Sequence, residues 1–207
     1  MSDTRMLAAA LANRSAHAVL GIVSAVDPSN HAIKVRIQPD NVETGWIPDV
    51  GGVQAGNLRV SCPSEPGTHV ALLPLEGDGE HLIAIGAVFD TVVTAPVSPS
   101  DGQAIQPGTM LIRAGCGAPP TETNGKVGDV NPQAGWCQIG SDGVILGAGN
   151  ARLHIAESGI SLTIGDVTAV FSANGLKVSG GDIQTDQHSL TQHVHLMGSQ
   201  TTGGPVG

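Results

Sequence analysis

The sequence predicts an all-β chain in two parts: a small closed barrel, then a narrow stack of short strands shared between chains. Three observations carry this. The hydrophobic pattern has a period of two over most of the chain, the signature of half-buried strands. Glycine is 29 of 207 residues, and the glycines fall at regular short intervals in the second half. Aromatic residues are only 2%, namely Trp46, Trp136, Phe89 and Phe171 with no Tyr. Large rings normally fill a compact interior. Val, Ile, Leu and Ala must do so here, which suits a thin core.

The elements follow in order. Residues 4–15, TRMLAAALANRS, predict the one helix, with Asp3 or Thr4 as cap and Ala and Leu of high propensity. The N-terminal helical region is taken as 1–18. Such a short helix is marginal alone and needs a surface to dock on. From Val19, VLGIVSAVD predicts a strand, and Pro28-Ser29-Asn30 a turn. In the next strand Ile33, Val35 and Ile37 face one way, and Lys34, Arg36 and Gln38 the other. GWIPDVGG, GNLRVSCPSEPG and THVALLPLEGDGEHLIAIGAVFD continue the set, with EGDGE as a solvated turn. About five short strands with Gly/Pro turns over 19–95 suggest a closed barrel such as an OB-fold.

Residues 96–108 form a linker by composition. Over 109–190 the strands shorten. Leu153 and Ile155 alternate in one; Ile160, Leu162 and Ile164 in the next; then come Ala169 and Phe171, Leu176 and Val178, and Ile183. Two or three inward side chains per strand cannot offset the chain entropy of an isolated ribbon. Strands stacked from several chains can, because they share one thin core. The expectation is an intertwined trimeric β-helix or β-prism, with a single-chain β-sandwich as the alternative.

Charge excludes several functions. The net charge is −9 and the nine Lys and Arg are scattered, which disfavours a nucleic-acid face. No apolar run approaches 18 residues, and the start is not read as a signal peptide. Cys62, Cys116 and Cys137 form no CxxC and predict reduced thiols, with a Cys116–Cys137 pair as the minority alternative.

The tip, 191–207, holds the one motif with chemical content, His193-Val194-His195. In a strand both imidazoles project to one face. One chain supplies two; three chains around an axis supply six, an octahedral shell. Imidazole suits iron, nickel, copper and zinc, and six ligands rank iron(II) ahead of zinc, which prefers four. The spacing alone does not establish a ligand set. Strand parity puts His188 on the opposite face. His17, His31, His69, His81 and His154 are expected to be surface or hydrogen-bonded structural residues, and Trp46 and Trp136 packing residues.

The chain resembles the baseplate assembly protein V, or central spike protein, of contractile-tailed bacteriophages. The likeness rests on GIVSAVDPSNHAIKVRI, GWIPDVGG and PSEPGTHVALLPLEGDGEHLIAIGAVFD. Within the last, Pro63, Pro66, Gly67, Val70, Leu73, Pro74, Gly77 and Asp78 follow the family's P-x-x-G-x-x-V-x-x-L-x-P-x-G-D run with small shifts. In the tail, GGDIQTDQHSLTQHVHLMGSQTTGGPVG carries L-x-x-H-x-H at Leu190, His193 and His195. Leu196 and Met197 depart from the small pair that often follows it in the family.

The resemblance implies a homotrimer with an N-terminal OB-fold on the tail hub or baseplate and a C-terminal β-helical needle. It implies one iron ion per trimer, held by His193 and His195 of each chain, with zinc or nickel ranked lower. It places the protein in the virion tail baseplate, assembled in the host cytoplasm and meeting the host outer membrane at its tip. A spike of a type VI secretion-like machine is the same kind of object. Two competitors differ. A trimeric receptor-binding fibre tip or adhesin needs exposed aromatics, which are scarce here. A metal-dependent hydrolase needs an open ligand position and a base, and no HExxH, GxSxG or phosphate loop occurs. The expectation is that the protein is not an enzyme.

Overall fold

The computed structural model describes residues 4, 6, 17–50, 52–75, 81–122, 124–186, 188–201 and 203. Thr4 and Met6 are helical, and the rest of the expected helix lies outside the described residues, as does the EGDGE turn with Gly77 and Asp78. The architecture is all-β, with several antiparallel sheets. The chain divides into two units. One comprises residues 1–95 and 117–130, the other 96–116 and 131–207.

In the first unit, β1 (Val19–Asp27) pairs with β2 (Ala32–Ile37) and β7 (His69–Pro74). β3 (Val42–Glu43) and β4 (Ile47–Pro48) add to β2, and β8 (Leu82–Ala87) adds to β7. The sheet order is β3-β2-β1-β7-β8. Its core is Val23, Ile33, Val35, Ile47, Val70, Leu72, Leu82 and Ala84. Ile33 and Val35 are buried and Ile37 packs against the core, as the alternation predicts. In β1 the register shifts between Val23 and Ala25, opposite Val35 and Lys34. That bulge lets Val26, opposite Ile33, turn inward together with Val23. Asp27 closes the following turn, accepting from the amides of Ser29 (3.0 Å) and Asn30 (3.2 Å). β5 (Gly52–Ala55) and β6 (Leu58–Ser61) form a separate, wholly exposed hairpin.

Residues 117–130 belong to this first unit, a placement the sequence pattern does not signal. The Arg36 guanidinium donates to the Thr121 carbonyl and lies 3.5 Å from the Glu122 carboxylate. Pro120 is buried. Gly67, with φ +94°, passes so close to the Pro119 carbonyl that a Cβ there would overlap it.

The second unit is a seven-stranded antiparallel meander. Its strands are β9 (Met110–Arg113), β10 (Gly135–Gly140), β11 (Gly143–Ala148), β12 (Ala151–Ala156), β13 (Gly159–Ile164), β14 (Val167–Ser172) and β15 (Gly175–Ser179), each paired with its neighbours in chain order. From β10 onward the connections are two-residue turns. Gly143, Gly159 and Gly175 stand sixteen residues apart, as do Gly149 and Gly165. The repeat unit is therefore two strands and two turns. Gly143 (φ +124°) and Gly159 (φ +146°) begin strands where a Cβ would overlap the facing carbonyl, of Ile155 and Phe171 respectively.

Register sorts this sheet into two unlike faces. Opposed residues share a face, and the pairings build three apolar rows. One runs Met110, Ile139, Val144, Ile155, Ile160, Phe171, Leu176. The second runs Ile112, Cys137, Leu146, Leu153, Leu162, Ala169, Val178. The third holds Ala148, Ala151, Ile164 and Val167. None of these side chains is buried within the chain. The opposite face is the more polar one: it carries Arg113, Gln138, Arg152, His154, Ser161, Thr163, Thr168 and Lys177, with Leu111, Trp136, Ile145 and Val170 among them.

Residues 97–104, read as linker from composition, pack on that polar face. Ser98 is buried and its hydroxyl donates to the Gln138 side chain at 2.9 Å. Arg113 donates to the Val97 carbonyl (2.8 Å) and Arg152 to that of Pro99 (3.3 Å). Trp136, 8% exposed, sits between Gly147 and the Arg152 guanidinium, 5.7 Å from the ring centre. Beyond β15, an isolated bridge joins Gln184 to Ser189, and β16 (Leu196–Met197) pairs with β17 (Gln200–Thr201).

Candidate metal centre

The His193–His195 pair stands on a loop that follows the meander. Residues 182–191 fold back on themselves. The Leu190 amide donates to the Ile183 carbonyl (2.9 Å) and the Thr185 amide to the His188 carbonyl (2.8 Å). The Asp182 carboxylate ties the two arms together. Its Oδ1 accepts from the amides of Ile183 (2.8 Å) and Thr191 (3.2 Å), and its Oδ2 from the Ser189 hydroxyl. Those donors, the Ser189 hydroxyl foremost, hold the Asp182 carboxyl below its ordinary value of 3.8.

His193 and His195 lie outside any strand, and Val194 between them is exposed. The two rings nonetheless come together, centroids 5.0 Å apart and edge to face at 87°. His193 is half-buried and His195 exposed. Nδ1 of His193 lies 2.8 Å from the Leu190 carbonyl oxygen. A carbonyl only accepts, so Nδ1 carries a proton there, and in the neutral ring Nε2 keeps the lone pair. That is the arrangement of a metal-binding imidazole, whose second nitrogen is held by an outer partner.

An open cleft of roughly 410 Å³ borders the pair, lined by Ile183, Thr185, Ser189, Leu190, Val194 and the imidazoles of His188, His193 and His195. His188 therefore shares the cleft. Strand parity puts it opposite only in a continuous strand from 188 to 195, and turns at 190–192 interrupt that stretch. Among the described residues no group of three or more His, Cys, Asp or Glu side chains is placed to hold a metal within one chain. The donor set fits a shared metal: two imidazoles per chain, one already oriented. Six donors require copies of the chain around the ion.

A second histidine also has a defined partner. Nδ1 of His69 is 2.5 Å from Oδ2 of Asp90 in the first unit. Asp90 Oδ1 also accepts from the amides of Val92 (2.7 Å) and Val93 (2.8 Å). These bonds, that of Val93 first, lower the Asp90 pKa from 3.8. The pair edges an apolar cavity of about 300 Å³ that holds Leu20, Ile22, Val70 and Val88. Among the described residues, its walls include no Ser, Thr or Cys for His69 to activate. His69 is thus hydrogen-bonded, in the way expected of the scattered histidines. Sequence reasoning missed Asp182, whose place eleven residues before His193 hid its contacts.

No family model matches the chain, and no curated protein does.

Proposed function

We propose that the chain is the central spike of a contractile tail or tail-like machine, a homotrimer that pierces a host outer membrane by mechanical force. The observation that carries this is the uncovered aliphatic face of the meander. Two rows of apolar side chains cross seven strands and a third crosses four, and Ile112, Ile164 and Phe171 expose 62%, 58% and 55% of their surfaces. A face so large and so uniformly apolar marks an interface. Three copies closing face to face make a narrow prism with a dry aliphatic interior, for which the shortage of aromatic rings is no handicap. The same closure gathers three His193–His195 pairs into a six-imidazole site for one iron(II) ion. A metal there ties the chain ends where fraying would start.

The first unit serves in this reading as an OB-fold-like barrel that meets the tail hub. Its sheet, with β4 on β2 and close to β8, supports that assignment. No reaction is asked of the spike.

The test is the solution mass, by light scattering on a sizing column, together with metal content. A mass near three times 20.9 kDa with one metal ion per three chains is expected. His193→Ala with His195→Ala removes the metal and leaves that mass unchanged. A monomer overturns the reading.

A further inference from the structure

Asp182 lies eleven residues before His193 in sequence, yet it organises the loop that presents that imidazole. A carboxylate accepts on two oxygens and donates nothing. Here three donors from both arms of one loop meet it: the Ile183 and Thr191 amides and the Ser189 hydroxyl. Ser189 passes the constraint on, since its Oγ accepts from the Gln192 amide at 3.0 Å. Leu190 is fixed between these anchors by its own bond to Ile183. Its carbonyl is the group that holds Nδ1 of His193. Each step is local, and the chain of contacts ends on a ring nitrogen.

We propose that Asp182 is a positioning residue for the metal centre, acting through Ser189 and Leu190 to fix the His193 ring with Nε2 presented to the ion. The inference rests on the spike reading, because that reading supplies the metal. It adds a residue outside the HxH motif on which the centre depends. Outer partners of ligating histidines set ring orientation and basicity, and their loss typically weakens metal binding about 10- to 100-fold. Asp182 stands one step further out, so the lower part of that range applies, about tenfold.

The experiment uses the full chain, stripped by a chelator and titrated with cobalt(II), whose visible absorption reports coordination number. Asp182→Ala is compared with Asp182→Asn and Ser189→Ala. Asn retains an acceptor for the two amides. Wild type is expected to bind one cobalt per three chains with the weak absorption of a six-coordinate ion. Asp182→Ala is expected to bind about tenfold more weakly and, when saturated, to absorb more strongly as the coordination number falls below six. Asp182→Asn falls between. A role in stability alone lowers the metal-free melting temperature and leaves the saturated spectrum untouched, which overturns the inference. Equal affinity and spectrum in wild type and Asp182→Ala also overturn it and leave the metal centre standing. No cobalt bound by wild type overturns the metal centre, and the inference with it. If Asp182→Ala fails to assemble, Asp182→Asn and Ser189→Ala carry the same comparison.

Discussion

Leucine 162 sits in the middle row of the apolar face, between Leu153 and Ala169. In the single chain it exposes 46% of its surface. For a leucine that is about 90 Å², and covering it at ~25 cal/mol per Å² is worth about 2.3 kcal/mol per chain, or about 7 kcal/mol for three chains. In the proposed trimer, Leu162→Asp forfeits this and places a carboxylate in the shared interior. At about 1.4 kcal/mol per tenfold, association weakens at least about 10⁵-fold. The assay is light scattering on a sizing column at micromolar concentration, where the variant should elute at the monomer mass. Thr163→Asp is the control. It lies one residue away on the polar face, opposite Arg152, where an opposite charge is tolerated. Should Leu162→Asp keep the wild-type mass, the apolar rows are not the interface and the shared-core argument is refuted.

Two further predictions concern the units separately. Gly147→Ala drives a Cβ into the Trp136 ring and should cost about 1–3 kcal/mol by overpacking, read as a lower denaturation midpoint; an unchanged midpoint shows that Trp136 is not fixed there. The lowered pKa of Asp90 gives a pH dependence of definite sign. Its contribution is fully present above pH 3.8 and is lost as the pH falls through the lower folded value. The melting advantage of wild type over Asp90→Asn should therefore hold at about pH 5 and shrink below pH 3.8. An advantage that grows on acidification refutes the assignment.

What the sequence made legible was whatever repeats. Leu153, Ile155, Ile160, Leu162, Ile164, Ala169, Phe171, Leu176 and Val178 alternate in the sequence, and the register puts all of them on one face. The same period identified Ile33 and Val35 as core. Contacts without a period were hidden. Residues 117–130 join the first unit through one guanidinium, a buried proline and a close pass at Gly67, and none of these makes a pattern. The 97–104 segment reads as linker because its bonds to the sheet come from Arg113, Arg152 and Gln138, far along the chain. The histidine pair was visible as a spacing. The loop that aims it depends on Asp182 meeting Ser189 and Thr191, side-chain-to-backbone closure that leaves no hydrophobic trace.

The spacing of Gly143, Gly159 and Gly175 makes the meander a ruler. Each sixteen-residue module adds two strands, about 9–10 Å at the usual distance between paired strands. Because a module holds an even number of strands, inserting one returns the chain to the same edge, travelling in the same direction. The apolar rows simply lengthen. Loss of a single strand reverses the direction of everything after it and carries the histidines to the wrong end of the last strand. Length can thus change in whole modules, while the histidine pair keeps its place after the last strand.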